Sequence, residues 1–123
     1  MPAIKITALP DGGLGPLGGP FTVESAGADP DGAAAAIVVE FGRWISHGMS
    51  YYQNKGGIED SSLFKSFAAE CFEELARDAP EEAARLTDLT VVCSGLPAAV
   101  TGDPMWRLHR AILATLPGVR FVE

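Results

Sequence analysis

Between Pro10 and Pro20 the chain places five glycines and three prolines in eleven residues, a run that no helix or strand tolerates. The segment has to be a loop or an arm, and its flanks can be read from that. Residues 3–9 alternate well enough for a strand, and Phe21-Thr22-Val23-Glu24 reads as a second one. Glycines that cradle a phosphate need a helix starting directly behind them. Here a strand follows, and neither GxGxxG nor GxxxxGKS/T occurs. The run is therefore expected to be a hairpin loop, or an arm that orders against a neighbour through Leu14 and Leu17.

Helical signals dominate the middle of the chain. Asp29-Pro30 has the form of an N-cap followed by a proline at the first helical position. It predicts a helix over about 33–53, with Ile37, Phe41, Trp44, Ile45 and Tyr52 on its apolar side. Residues 36–41 also fit a short buried strand, because period alone does not separate the two. Asn54-Lys55-Gly56-Gly57 breaks the element. A second helix, capped by Asp60 or Ser61, carries Leu63, Phe64, Phe67, Ala68, Cys71, Phe72 and Leu75 at helical spacing. Pro80 opens a short third helix over 81–86.

The last third alternates strand and helix. Residues 87–93 contain Leu-Thr-Val-Val-Cys, a buried strand. Asp103-Pro104 starts a helix through Met105, Leu108, Ile112 and Leu116, and residues 119–122 form a final strand. A strand–helix–strand unit favours a right-handed crossover and a parallel pair. The expected fold is a single α/β (α+β) domain over 1–123. It is a small mixed sheet of about four strands with three to four helices mainly on one face, ending in a βαβ unit.

Composition narrows the partners. The chain is 47% hydrophobic and 20% charged, with a net charge of −7, enough apolar content for a packed core. Nine acids and three bases lie between Glu59 and Asp88, so that stretch alone carries −6. Such a surface repels phosphate backbones and anionic lipid, so neither nucleic acid nor membrane is an expected partner. Glu70, Glu73 and Glu74 form its acidic surface, which either solvates a helix or attracts a basic protein. No basic leader with an apolar run and no stretch of about 18 apolar residues occurs, so a cytoplasmic or virion location is expected. Abundant Ala and Gly with three Lys point to a GC-rich bacterial or phage gene.

Chemistry-bearing residues are few. Glu40, Arg43, His47 and Tyr51 share one side of the first helix. They form an acid–base line with His47 titrating near neutrality, or an ordinary solvated face. Ser94, in Cys93-Ser94-Gly95, stands at a strand end where α/β proteins place ligands, but the GxSxG elbow is absent. Arg107, His109 and Arg110 make a basic spot suited to an anionic ligand or an acidic neighbouring subunit. Trp106, one residue past the core position Met105, is expected to be partly exposed as an interface anchor. Cys71 and Cys93 lack metal or disulfide spacing and are expected in the core. Neither a metal nor a cofactor is expected.

These features favour a non-catalytic interaction or assembly subunit of a bacterial or phage complex, with Leu14, Leu17, Trp106, Arg107 and Arg110 at its interface. The partner is then another protein or a second copy. Two alternatives remain at this level: an acidic immunity or inhibitor protein on a basic toxin, and a small enzyme or ligand-binding domain using His47 and the Ser94-Gly95 turn.

Overall fold

A computed structural model describes residues 2–10, 12–27, 32–49 and 62–123. In chain order the elements are β1 (Ala3–Ala8), β2 (Phe21–Ser25), α1 (Ala33–Gly48), α2 (Ser62–Asp78), α3 (Pro80–Arg85), β3 (Thr90–Val92), α4 (Ala98–Thr101), α5 (Pro104–Ala114) and β4 (Arg120–Val122). The four strands form one mixed sheet in the order β2-β1-β3-β4. β1 pairs antiparallel with β2, joining Ile6 to Val23. It pairs parallel with β3, and β3 pairs parallel with β4. The expected mixed α/β architecture and its C-terminal parallel pair are both present.

Alternation along the strands decides which face is covered. Ile4 and Ile6 on β1, Phe21 on β2 and Val91 on β3 are buried, whereas Lys5 between the two isoleucines is exposed. The covered face meets α1, which contacts both β1 and β2. The opposite face carries Lys5 beside Glu24 and Thr7 beside Thr22, with Thr7 Oγ1 donating to Glu24 Oε2 at 3.1 Å. Parallel strands are usually covered on both sides; threonines and charges make an open side compatible with water here. Phe21 and Phe64, both fully buried, each contribute about 2 kcal/mol through burial.

Among the described residues the 10–20 segment folds back on itself between β1 and β2, in keeping with the hairpin-loop alternative. Leu9 N donates to Pro20 O, Gly15 N to Gly19 O and Gly18 N to Gly15 O, at 2.9, 2.8 and 3.1 Å. Glycine is needed for the close approach at position 15, where a β-carbon would lie 1.9 Å from the Phe21 carbonyl oxygen. Leu17 is buried at 6% exposure, while Leu14 stays 76% exposed.

The first helix begins at Ala33 behind Gly32, which caps it in a left-handed conformation; residues 36–41 are helical, not a strand. Asp29, Pro30, Asp60, Ser61 and the breaker at 54–57 lie outside the described residues, as does the predicted continuation of α1 beyond residue 49. The Asp103-Pro104 start is present, Asp103 Oδ1 accepting from Met105 N at 2.9 Å. The four-residue helix α4 has no counterpart in the sequence reading, and it brings the helices to five among the described residues.

Candidate functional site

Two helices, α1 and α5, hold most of the polar residues singled out in the sequence, and they present them very differently. On α1, Phe41 and Ile45 turn into the core while Glu40, Arg43, Trp44 and His47 face outward. Trp44 is 40% exposed, held edge-on against Phe41 with ring centroids 6.1 Å apart. It lies between two concavities. One, of about 200 Å³, is formed by Ile37, Glu40, Phe41 and Trp44 of α1 with Leu75 of α2 and Glu82 of α3. The other, of about 340 Å³, is bounded by Glu40, Arg43, Trp44 and His47. The result is a groove with an aromatic floor, with Glu40 and Glu82 on the rim of the first concavity and Arg43 and His47 beside Glu40 on the rim of the second. Tyr51, the last member of the predicted polar line, lies outside the described residues.

On α5 two expected surface residues are buried. Trp106 is buried at 3% and meets Phe21 edge-on at 5.4 Å. Its expected partial exposure is wrong because the buried face of α5 is broader than the Met105–Leu108–Ile112 stripe. Trp106, His109 and Leu113 recur at i, i+3 and i+7 and turn inward with Leu108 and Ile112. His109 therefore does not join Arg107 and Arg110 in a surface basic spot; it is 2% exposed. A hydrogen bond with the Leu17 backbone steadies the imidazole, but burial dominates and pushes its pKa down to about 4. Its Nε2 has no hydrogen-bond partner among the described residues.

Leu17 leaves the predicted interface for the same reason: it is a core residue beside His109. Leu14, Arg107 and, in part, Arg110 remain accessible.

The cleft that α5 does present stands at the carboxyl ends of the parallel strands β3 and β4. Cys93, Leu96, Thr101, Trp106, Arg107, Arg110 and Glu123 enclose about 210 Å³. Arg110 Nη2 donates to Glu123 Oε1, and its guanidinium lies 4.1 Å from the centre of the Phe121 ring. Cys93 Sγ donates to the Val122 carbonyl at 3.4 Å. Burial and the Glu123 carboxylate raise the Cys93 thiol pKa, with Arg110 opposing them. Ser94 is exposed on the adjoining turn and lines none of these three concavities. The expected convergence of His47 and Ser94 on one pocket does not occur in any of them.

Glu70, Glu73 and Glu74 are all exposed on α2. Among the described residues no group of three or more His, Cys, Asp and Glu could hold a metal ion. No helix among them is long and apolar enough to cross a membrane. Helical spacing puts Trp44 on the apolar side of α1, but its groove depends on Leu75 and Glu82, which only tertiary contact brings there. The cleft at Arg110 is not legible in the sequence, in part because Thr101 reaches it from α4, a four-residue helix with no side-chain cap. Compared with known proteins, the chain matches no family model, no curated protein and no solved structure.

Proposed function

We propose that the protein is a non-catalytic interaction subunit of a bacterial or phage assembly, and that it holds a basic partner protein in the groove on α1. The observation that carries this reading is Trp44, 40% exposed between Phe41 and Leu75 with Glu40 and Glu82 at the rim. Exposed tryptophans in partly enclosed apolar surroundings are typical binding anchors. An indole flanked by carboxylates favours a Lys or Arg head over its ring together with an apolar stem along the groove. The acidic exposed side of α2 works in the same direction, steering a basic partner toward this side of the molecule. A toxin held by an immunity protein would be one partner of this class.

The test is a photocrosslinking amino acid placed at position 44, with a control at exposed Ala99 on α4, in cells of the source organism. A discrete adduct from position 44, absent from position 99 and mapped by mass spectrometry to a Lys- or Arg-rich segment, is the expected result. Equal crosslinking from both positions, or an adduct with a second copy of the chain, would overturn the reading. Light scattering at low and high salt provides an independent check for self-association, which Trp44→Ala should leave unchanged.

A further inference from the structure

The cleft at the ends of β3 and β4 shares no lining residue with the α1 groove, and it offers different chemistry. We propose that it is a binding site for a small organic monocarboxylate, whose carboxylate takes the Arg110 guanidinium and whose apolar body lies against Leu96 and Trp106.

Four features point to this ligand class. The site stands outside the carboxyl ends of adjacent parallel strands, where open α/β sheets bind ligands. Its volume of about 210 Å³ is enough for a small molecule. The Arg110 fork already holds a carboxylate, that of Glu123, so the chain itself displays the group this fork accepts. Among the described residues Arg107, one helical turn away at i−3, forms no ion pair, and it supplies a second cation on the same rim.

Charge then selects among anions. The side chains lining the cleft include two guanidinium groups, those of Arg107 and Arg110, and the one carboxylate of Glu123, which repels a dianion more strongly than a monoanion. The apolar wall of Leu96 and Trp106 gives nothing to an inorganic ion but shelters an aliphatic or aromatic body. Glu123 acts as a resident competitor. Its ion pair with Arg110 is largely solvent-exposed, with the Glu123 side chain 67% accessible, so an incoming carboxylate exchanges with it at little cost.

The experiment follows the Trp106 indole N–H resonance of the full chain by NMR during titration with sodium benzoate, benzamide and inorganic phosphate. Benzoate is expected to shift that resonance saturably, while neutral benzamide and phosphate bind at least about tenfold more weakly. Arg110→Gln should weaken benzoate at least about tenfold, the worth of one charge-assisted pair. Glu123→Gln should tighten it severalfold by removing the internal competitor. The second variant keeps the test decisive if the first perturbs α5, since it alters only an exposed side chain. Phosphate or benzamide matching benzoate, no saturable shift, or a Glu123→Gln affinity equal to or weaker than wild type would each overturn the proposal.

Discussion

A β-carbon on Gly42 would stand 3.0 Å from Nδ1 and 3.2 Å from Cε1 of His109, so α1 and α5 approach each other through a glycine and an imidazole. The same atom would lie 3.3 Å from Leu17 Cδ2. Position 42 is thus where α1, α5 and the 10–20 loop meet. The imidazole has little room to retreat, being 2% exposed with Phe21 on another side at 6.4 Å between centroids.

Gly42→Ala should accordingly destabilise the protein, although alanine is the better helix former by about 1 kcal/mol. Overpacking a tight contact costs about 1–3 kcal/mol, leaving a net loss of about 1 kcal/mol in urea unfolding. The sign should reverse when the imidazole is removed. In a His109→Ala background, Gly42→Ala is expected to stabilise, because the helix-propensity gain then meets only the 3.3 Å contact with the end of the Leu17 side chain, which can move into the space the imidazole leaves. A double-mutant cycle with no coupling between the two positions would show that the contact carries no energy.

His109 also makes stability depend on pH in a defined window. Its pKa falls from an ordinary 6.5 to about 4 in the folded protein, chiefly through burial. Below pH 6.5 the unfolded chain takes up a proton that the folded chain refuses, so stability drops as pH falls and stops dropping near pH 4. The full effect is about 3 kcal/mol, the worth of that shift. Urea unfolding of wild type and His109→Gln at pH 7, 5.5 and 4 measures it. The two curves should converge toward low pH, the variant lacking this part of the loss. Parallel pH profiles would mean that the imidazole protonates freely in the fold.

Leu14 and Leu17, three residues apart in the same loop, should differ sharply. Leu17→Ala removes a side chain that is 6% exposed and should cost about 2–3 kcal/mol. Leu14→Ala touches a residue 76% exposed and should change stability by less than about 0.5 kcal/mol. Amide exchange adds a second readout. The Gly15 and Gly18 amides, both bonded within the loop, should lose protection in Leu17→Ala and keep it in Leu14→Ala.

Much of the fold is legible in the sequence because its signals are local. Proline at the starts of α3 and α5, the Asp103 cap and strand alternation around Lys5 each act within a few residues. The limits of that reading appear where tertiary contact decides. Glycines at 12, 13, 15, 18 and 19 spell irregular backbone, but the path of that backbone depends on the close approach of Gly15 to Phe21, on bonds such as Gly15 N to Gly19 O and on the burial of Leu17. Trp106 looks partly exposed because it follows the core position Met105, and His109 looks like part of a surface basic spot because it stands between Arg107 and Arg110. His109 is accommodated against Gly42 of α1, while Trp106 packs against Phe21 of β2. Period alone gives the direction of an apolar stripe, not its breadth, and breadth moved both residues into the core.

The two cysteines provide a chemical test of the core around both ends of the molecule. Cys71 on α2 is 4% exposed and Cys93 after β3 is 8% exposed. Both thiol pKa values are raised above the ordinary 9.0, first by burial and then by nearby carboxylates, those of Glu74 and Glu70 for Cys71 and that of Glu123 for Cys93. Since the thiolate is the reacting species, iodoacetamide at pH 8 should modify both far more slowly in the native protein than in urea. Cys93 should be the faster of the two, being more accessible and having Arg110 to oppose part of its shift. Glu123→Gln should speed Cys93 and leave Cys71 untouched, because it removes a carboxylate beside only one of them. Mass-resolved labelling over time reads all three outcomes, and native Cys93 reacting at the denatured rate would show that the β3–β4 end is open to solvent.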